Sequence, residues 1–197
     1  MAPPSVSDKG APSESLDLEA VRRREPEALA ALFERHFDRV YGFIYRLVGD
    51  RAQAEDLTQE VFLKVHRAAH TIDPARDPGP WLMTIAHNVC RDLWRSSAWK
   101  LRRRSTSLDG DSPLAATLPS GTRDPERQVL AAERERLVQQ ALLELPEPLR
   151  VAIVMHDYLG LGHDEIAAAT GIAHAAARKR YSRALAALAK RLEGVLG

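Results

Sequence analysis

HDEIAAATGIAHAAARKRYSRALAALAKRL, residues 163–192, reads as two helices separated by a turn of a few residues around Gly171. Two helices that cross closely need a small residue at the crossing, a turn residue that tolerates positive φ, and an apolar anchor on the second helix. Ala167, Gly171 and Ala177 stand at those places, with Ile166 and Ile172 beside them. Asp164 and Glu165 fall in the first turn, where the helix dipole favours carboxylates. The second helix, Ala173 to Leu192, holds Arg178, Lys179, Arg180, Arg183, Lys190 and Arg191 and no acid, with Ala177, Tyr181, Leu185, Leu188 and Leu192 as the predicted inward stripe. Arg178, Lys179, Ser182 and Arg183 share a face near its start, the part of a helix-turn-helix that enters the major groove, and are the expected duplex-DNA contacts. A solvated bundle helix can be just as basic, so the crossing and turn residues carry this reading more than the charge does.

Outward from this unit the chain reads as helices throughout. Upstream, Val129, Leu130, Leu137, Leu142 and Leu145 recur at helical spacing after Pro125, and a fresh helix opens at Pro146 with Leu149, Ile153, Val154 and Tyr158. Residues 105–123 are rich in Ser, Thr, Pro, Gly and Asp without periodicity, which predicts a flexible linker. Before it, Leu29, Leu32, Phe33, Val40, Tyr41, Ile44 and Leu47 form one stripe, ended by Gly49 and Asp50. A second helix spans about Ala52 to Ala69. The prolines and glycine of Thr71–Pro80 predict a loop, with helix resuming near Trp81. The first sixteen residues are small, polar and proline-punctuated, so a disordered tail is expected. The predicted fold is all-α: two small helical domains, 17–104 and 124–197, on either side of the linker.

Composition narrows the function. The chain of 197 residues is 45% hydrophobic and 28% charged, which excludes disorder throughout, and its net charge of +1 means that any nucleic-acid surface must come from local segregation of charge. A single cysteine, Cys90, allows no intramolecular disulfide, and no Cys/His grouping has zinc-ligand spacing, so neither metal nor cofactor is expected. No apolar run approaches the roughly 20 residues that span a bilayer, and the start does not resemble a signal peptide, so a cytoplasmic protein without membrane insertion is expected.

In the amino-terminal half, Arg91, Arg95, Lys100, Arg102, Arg103 and Arg104 gather toward the end of the Trp81 helix, interleaved with Trp94 and Trp99. Single-stranded nucleic acid is held by such positive grooves with aromatic platforms. Trp81 and Trp94 read more naturally as packing residues than as platforms. Asn88 can address a base edge or cap a neighbouring carbonyl. By themselves Asp56, Gln59 and Glu60 read as a solvated helix face.

AEDLTQEVFLKVHRA (54–68), WLMTIAHNVCRDLWR (81–95) and LPEPLRVAIVMHDYLGLGHDEIAAATGI (145–172), in this order and followed by the basic helix, resemble the extracytoplasmic-function (ECF, group IV) RNA polymerase sigma factors. The resemblance covers Asp17 to Leu192. It implies an alternative sigma factor with no enzymatic activity, made of a region 2 bundle and a region 4 helix-turn-helix. The implied partners are core RNA polymerase, through its β′ clamp and β flap, promoter DNA, and an anti-sigma factor. By the same resemblance Asp56, Gln59, Glu60 and Phe62 bind polymerase. Asn88, with the stretch 73–80 and the nearby Arg91 and Arg95, meets the minus-ten element, while Arg178, Lys179, Ser182 and Arg183 read the minus-thirty-five element. Three features depart from the family pattern: 77–80 lacks an aromatic before Trp81, Gly162 and Ala173 replace serine caps worth about 1 kcal/mol each, and Ala175 and Ala176 offer bases little to touch. Two other readings compete: a stand-alone helix-turn-helix regulator acting without polymerase, and a metal-dependent hydrolase using His66 and His70, for which no third ligand is evident.

Overall fold

The computed structural model describes residues 16–97, 99 and 125–196, and every regular element among them is helical. The expected tail to residue 15, the 105–123 linker and Lys100, Arg102, Arg103 and Arg104 lie outside the described residues.

Helix α1 (Leu18–Arg22) starts at Asp17, whose carboxylate accepts the Ala20 N–H at 2.9 Å. Helix α2 (Pro26–Val48) carries proline at its first turn, where no N–H is needed, and ends at Gly49 with φ 78°, the left-handed cap a glycine adopts without strain. Helix α3 (Arg51–Ala68) is capped by Asp50, which accepts the Gln53 N–H at 2.9 Å, and runs into a 3₁₀ turn at Ala69–Thr71.

Helix α4 (Pro78–Arg95) begins three residues before the expected start at Trp81. Pro78 and Pro80 do not exclude helix here, because both lie in the first turn, whose N–H groups lack helical partners anyway. The Asp77 carboxylate accepts the Gly79 N–H at 3.0 Å and fixes this start.

In the second half, α5 (Pro125–Leu143) precedes α6 (Glu147–Ile153), which widens into a π turn at Val154–Tyr158 where the sequence suggested continuous helix. Helices α7 (His163–Thr170) and α8 (His174–Leu196) follow, joined through Gly171 at φ 69°.

Helices α2, α3 and α4 pack on one another around Phe43, Ile44, Leu47, Val61, Val65, Leu82 and Met83; α6, α7 and α8 pack around Leu145, Met155, Ile166, Ala177 and Ala184. Trp94 is buried, as its packing reading requires. The stripe on α8 differs from the expected one. Ala184 is fully buried and Leu185 is 42% exposed, so the inward line runs through 177, 181, 184 and 188, the spacing that keeps one face on a 3.6-residue helix. Phe33, placed on the α2 stripe from the sequence, is likewise exposed.

The two modules abut, and their buried side chains form one contiguous cluster. Helix α4 packs on α7, and α2 packs on α5 and on the π turn. Carbonyl groups in the last turn of a helix have no partner within it. At the end of α2 several are met from the other module: Gln139 donates to the Tyr45 and Arg46 carbonyls at 3.3 and 3.4 Å, and the Arg150 guanidinium donates to the Leu47 carbonyl. Arg150 also donates to the Leu143 and Leu145 carbonyls at 2.9 and 3.0 Å, tying the ends of α2 and α5 and the turn after α5 to α6.

Candidate nucleic-acid interface

The helix-turn-helix is fixed locally. The Gly171 N–H donates to the Ala167 carbonyl and closes α7. At the start of α7 Gly162 brings no side chain, but its own N–H donates to the Glu165 carboxylate at 2.8 Å, so half of a capping box survives the missing serine. Tyr181 holds α8 against the π turn, its hydroxyl donating to the Asp157 carboxylate at 2.9 Å and its ring lying 4.1 Å from that of His156. With Ala177 and Ala184 buried, Arg178, Lys179, Ser182 and Arg183 are all exposed together on the opposite side. Three cations beside a hydroxyl at the front of a helix can grip phosphates and reach base edges in a major groove.

On α4 the expected minus-ten residues are split. Arg95 is exposed, whereas Asn88 and Arg91 are half-buried, and the Arg91 Nε is enclosed without a hydrogen-bond partner. Beside them His87, which the sequence reading passed over, is only 7% exposed. Burial, then the neighbouring charges of Arg91 and Arg180, push its imidazole down to about 4, against the favourable pull of the Ala169 backbone. This face of α4 therefore lies against the helix-turn-helix. Trp81 is half-exposed, its Nε1 donating to the Thr71 hydroxyl at 3.3 Å across the loop.

On α3, Asp56, Gln59 and Glu60 are exposed, and Glu60 pairs with Lys64 at 3.0 Å, with Asp92 of α4 at 3.5 Å from the same ammonium. Phe62 is half-buried under Phe33, ring centres 4.7 Å apart, and the Phe37 ring lies tilted against that of Phe33 with centres 5.1 Å apart. The sequence reading did not connect Phe33 and Phe37 with the α3 face, although their spacing on α2 places them on one side of that helix. His66 and His70 are both exposed, and the His70 Nδ1 sits 3.2 Å from the Arg67 carbonyl. Among the described residues no three His, Cys, Asp or Glu side chains group so as to hold a metal ion, and no helix is long and apolar enough to cross a membrane.

A helix-turn-helix with a one-sided basic helix, coupled to a second helical bundle, defines an all-α DNA-binding protein with two modules. The Sigma-70 region 2 family matches residues 32–100, and the Sigma-70, region 4 family matches residues 135–188. The RNA polymerase sigma factor CarQ of Myxococcus xanthus is 36% identical over 166 residues, covering 84% of this chain and 90% of CarQ. The ECF RNA polymerase sigma factor SigE of Mycolicibacterium smegmatis is 34% identical over 152 residues, 77% of this chain but 56% of SigE. The fold is that of the sigma factor RpoE from Bartonella quintana, solved in complex with the anti-sigma factor NepR: TM-score 0.67 at 21% identity, over 85% of this chain and 98% of that one. The chain belongs to the ECF group of the sigma-70 family, initiation factors that direct RNA polymerase to promoter DNA. Sigma factors as a class do not themselves catalyse a reaction.

Proposed function

We propose that this protein is an alternative sigma factor of the cytoplasm that binds core RNA polymerase and selects promoters with two separate reading surfaces. The module spanning 17–104 docks on the polymerase β′ clamp through Asp56, Gln59, Glu60 and Phe62, with the adjoining Phe33 and Phe37 enlarging the apolar part of that surface. Its helix α4 takes the minus-ten element as single strand, with Asn88, Arg91 and Arg95 as contacts. The module spanning 124–197 sits at the β flap and reads the minus-thirty-five element as duplex through Arg178, Lys179, Ser182 and Arg183. An anti-sigma factor that covers these surfaces would silence the protein.

The observation that carries this reading is the exposed cationic face at the front of α8, set directly opposite the fully buried Ala177 and Ala184. Run-off transcription with purified core polymerase on genomic promoter fragments tests it. Start sites that depend on the added protein are expected. Duplex binding without any polymerase-dependent initiation would instead establish a stand-alone regulator. Within the reading, Arg183→Ala should weaken duplex binding and lower the slope of log affinity against log salt by about one.

A further inference from the structure

The chain enters α8 as Ala173, His174, Ala175, Ala176, Ala177, so His174 is the one side chain there longer than a methyl group. It stands four residues before Arg178 and eight before Ser182, on the same exposed line of the helix. Whatever the leading end of α8 touches through a side chain, it touches through this imidazole.

The His174 Nε2 lies 3.4 Å from the Asp164 carboxylate in the first turn of α7, and the two side chains are 54% and 91% exposed. An ion pair so open to solvent is worth little, so Asp164 parks the imidazole without fixing it. Also from α7, the His163 ring stands 6.2 Å away, its Nδ1 enclosed without a hydrogen-bond partner, while Glu165 is turned back to the Gly162 N–H at 2.8 Å. The π turn brings His156, whose ring centre is 5.0 Å from that of His163. It also brings Asp157, already engaged by His156 at 2.8 Å and by the Tyr181 hydroxyl at 2.9 Å. Helix α5 meets α8 toward its other end, where Glu144 pairs with Arg191 at 3.1 Å. On α8 itself Arg178 follows one turn on. Of the three clustered imidazoles, that of His174 is the exposed one, and only the loose Asp164 carboxylate holds it.

An imidazole ordinarily changes charge between about pH 5 and 8, and only its charged form neutralises a phosphate. Protonated, His174 extends the line of Arg178 and Ser182 by one turn and one positive charge; neutral, it leaves the front of that line uncharged. We propose that His174 is a further contact of the helix-turn-helix with duplex DNA, made to a backbone phosphate when the ring takes up a proton from solvent and exchanges Asp164 for the phosphate. The grip of α8 on DNA thereby tightens as pH falls, at an end of the helix where residues 173–177 offer no permanent cation. One more neutralised phosphate steepens the slope of log affinity against log salt by about 0.9, a gain of about eightfold at ~0.1 M salt relative to ~1 M. This rests on the reading of α8 as a duplex-binding helix.

The full chain is compared with two variants, His174→Gln and His174→Lys, on a dye-labelled mixed-sequence duplex of about 30 base pairs, at about pH 8 and about pH 5.5 and over a salt series. Because the ring is more than half exposed, both variants should keep the wild-type circular dichroism at each pH. The wild type should bind about five- to tenfold more tightly at the lower pH in ~0.1 M salt, with a salt slope steeper by about one. His174→Gln should lose most of that gain and the steepening. His174→Lys should hold the tight affinity and the steep slope at both pH values. An acid gain equal in the wild type and His174→Gln, or no acid gain in a wild type that binds duplex, overturns the proton-linked contact and leaves the helix-turn-helix standing. So does a folded His174→Lys chain that binds no more tightly than the wild type at the higher pH. Absence of duplex binding by every form at both pH values overturns the duplex reading of α8 itself, and the proposal with it.

Discussion

Replacing His87 by glutamine should remove a specific part of the acid sensitivity of this protein. In the folded chain the imidazole is enclosed between α4 and α7, with Arg91 and Arg180 as the nearest charges, and its pKa is pushed down to about 4 from an ordinary 6.5. The unfolded chain therefore takes up a proton at a pH where the folded chain does not. Above about pH 6.5 both states hold neutral His87 and the effect vanishes. As pH falls toward about 4 the unfolded state is progressively favoured, and below that the penalty is constant. A shift of this size corresponds to roughly 3 kcal/mol. His36, also held below its ordinary value chiefly by burial, acts in the same direction, so the comparison has to be made against a single variant. Urea midpoints for wild type and His87→Gln, from about pH 7.5 to about pH 4.5, give the test: the gap between the two stabilities should change by roughly 2 to 3 kcal/mol across the window in favour of the variant at low pH. Parallel curves would show that His87 titrates alike in both states and is not enclosed by the helix-turn-helix.

Arg150→Ala should lower stability by about 3 to 5 kcal/mol in urea denaturation, since one buried guanidinium serves the carbonyls of Leu47, Leu143 and Leu145 and its loss strands them together. Gly171→Ala meets no atom within 4 Å, so its cost should be only the roughly 1 to 2 kcal/mol of left-handed strain, read as a modest fall in Tm with duplex binding retained in the folded protein. Cys90 is fully buried and its thiol is pushed up to about 12, by burial first and Glu60 second, so it should resist a thiol-specific reagent in native buffer and react fully in denaturant.

Most of the helices were legible in the sequence because their signals are local. Apolar spacing, Pro26 at a helix start, and Gly49 and Gly171 at helix ends act within a turn or two of where they stand, whereas Asp50, read as part of the stop of α2, is the cap of α3. The helix-turn-helix and its basic face could be read for the same reason: Ala167, Gly171 and Ala177 set the crossing, and the cations lie on the one side left over. Readings that stretched the local rule failed in small ways. Pro80 looked like a loop residue and lies in a first turn, and Leu185 looked like core, although Ala184 fits the tight approach of α6 and α7 to α8 and the larger side chain is turned outward.

What tertiary structure alone decided is how the modules meet. Gly42 is an unexplained glycine until Tyr158 is seen standing where its side chain would be, and Gln139 and Arg150 are ordinary polar residues until they reach the end of α2. These pairs are about a hundred residues apart in the chain, and no periodicity couples positions that distant. Hydrogen bonding to helix ends and the exclusion of water from His87 come into being only when two surfaces close. Sequence patterns specify each helix and the side it buries; which surface it is buried against depends on shape complementarity between elements that the local code does not relate.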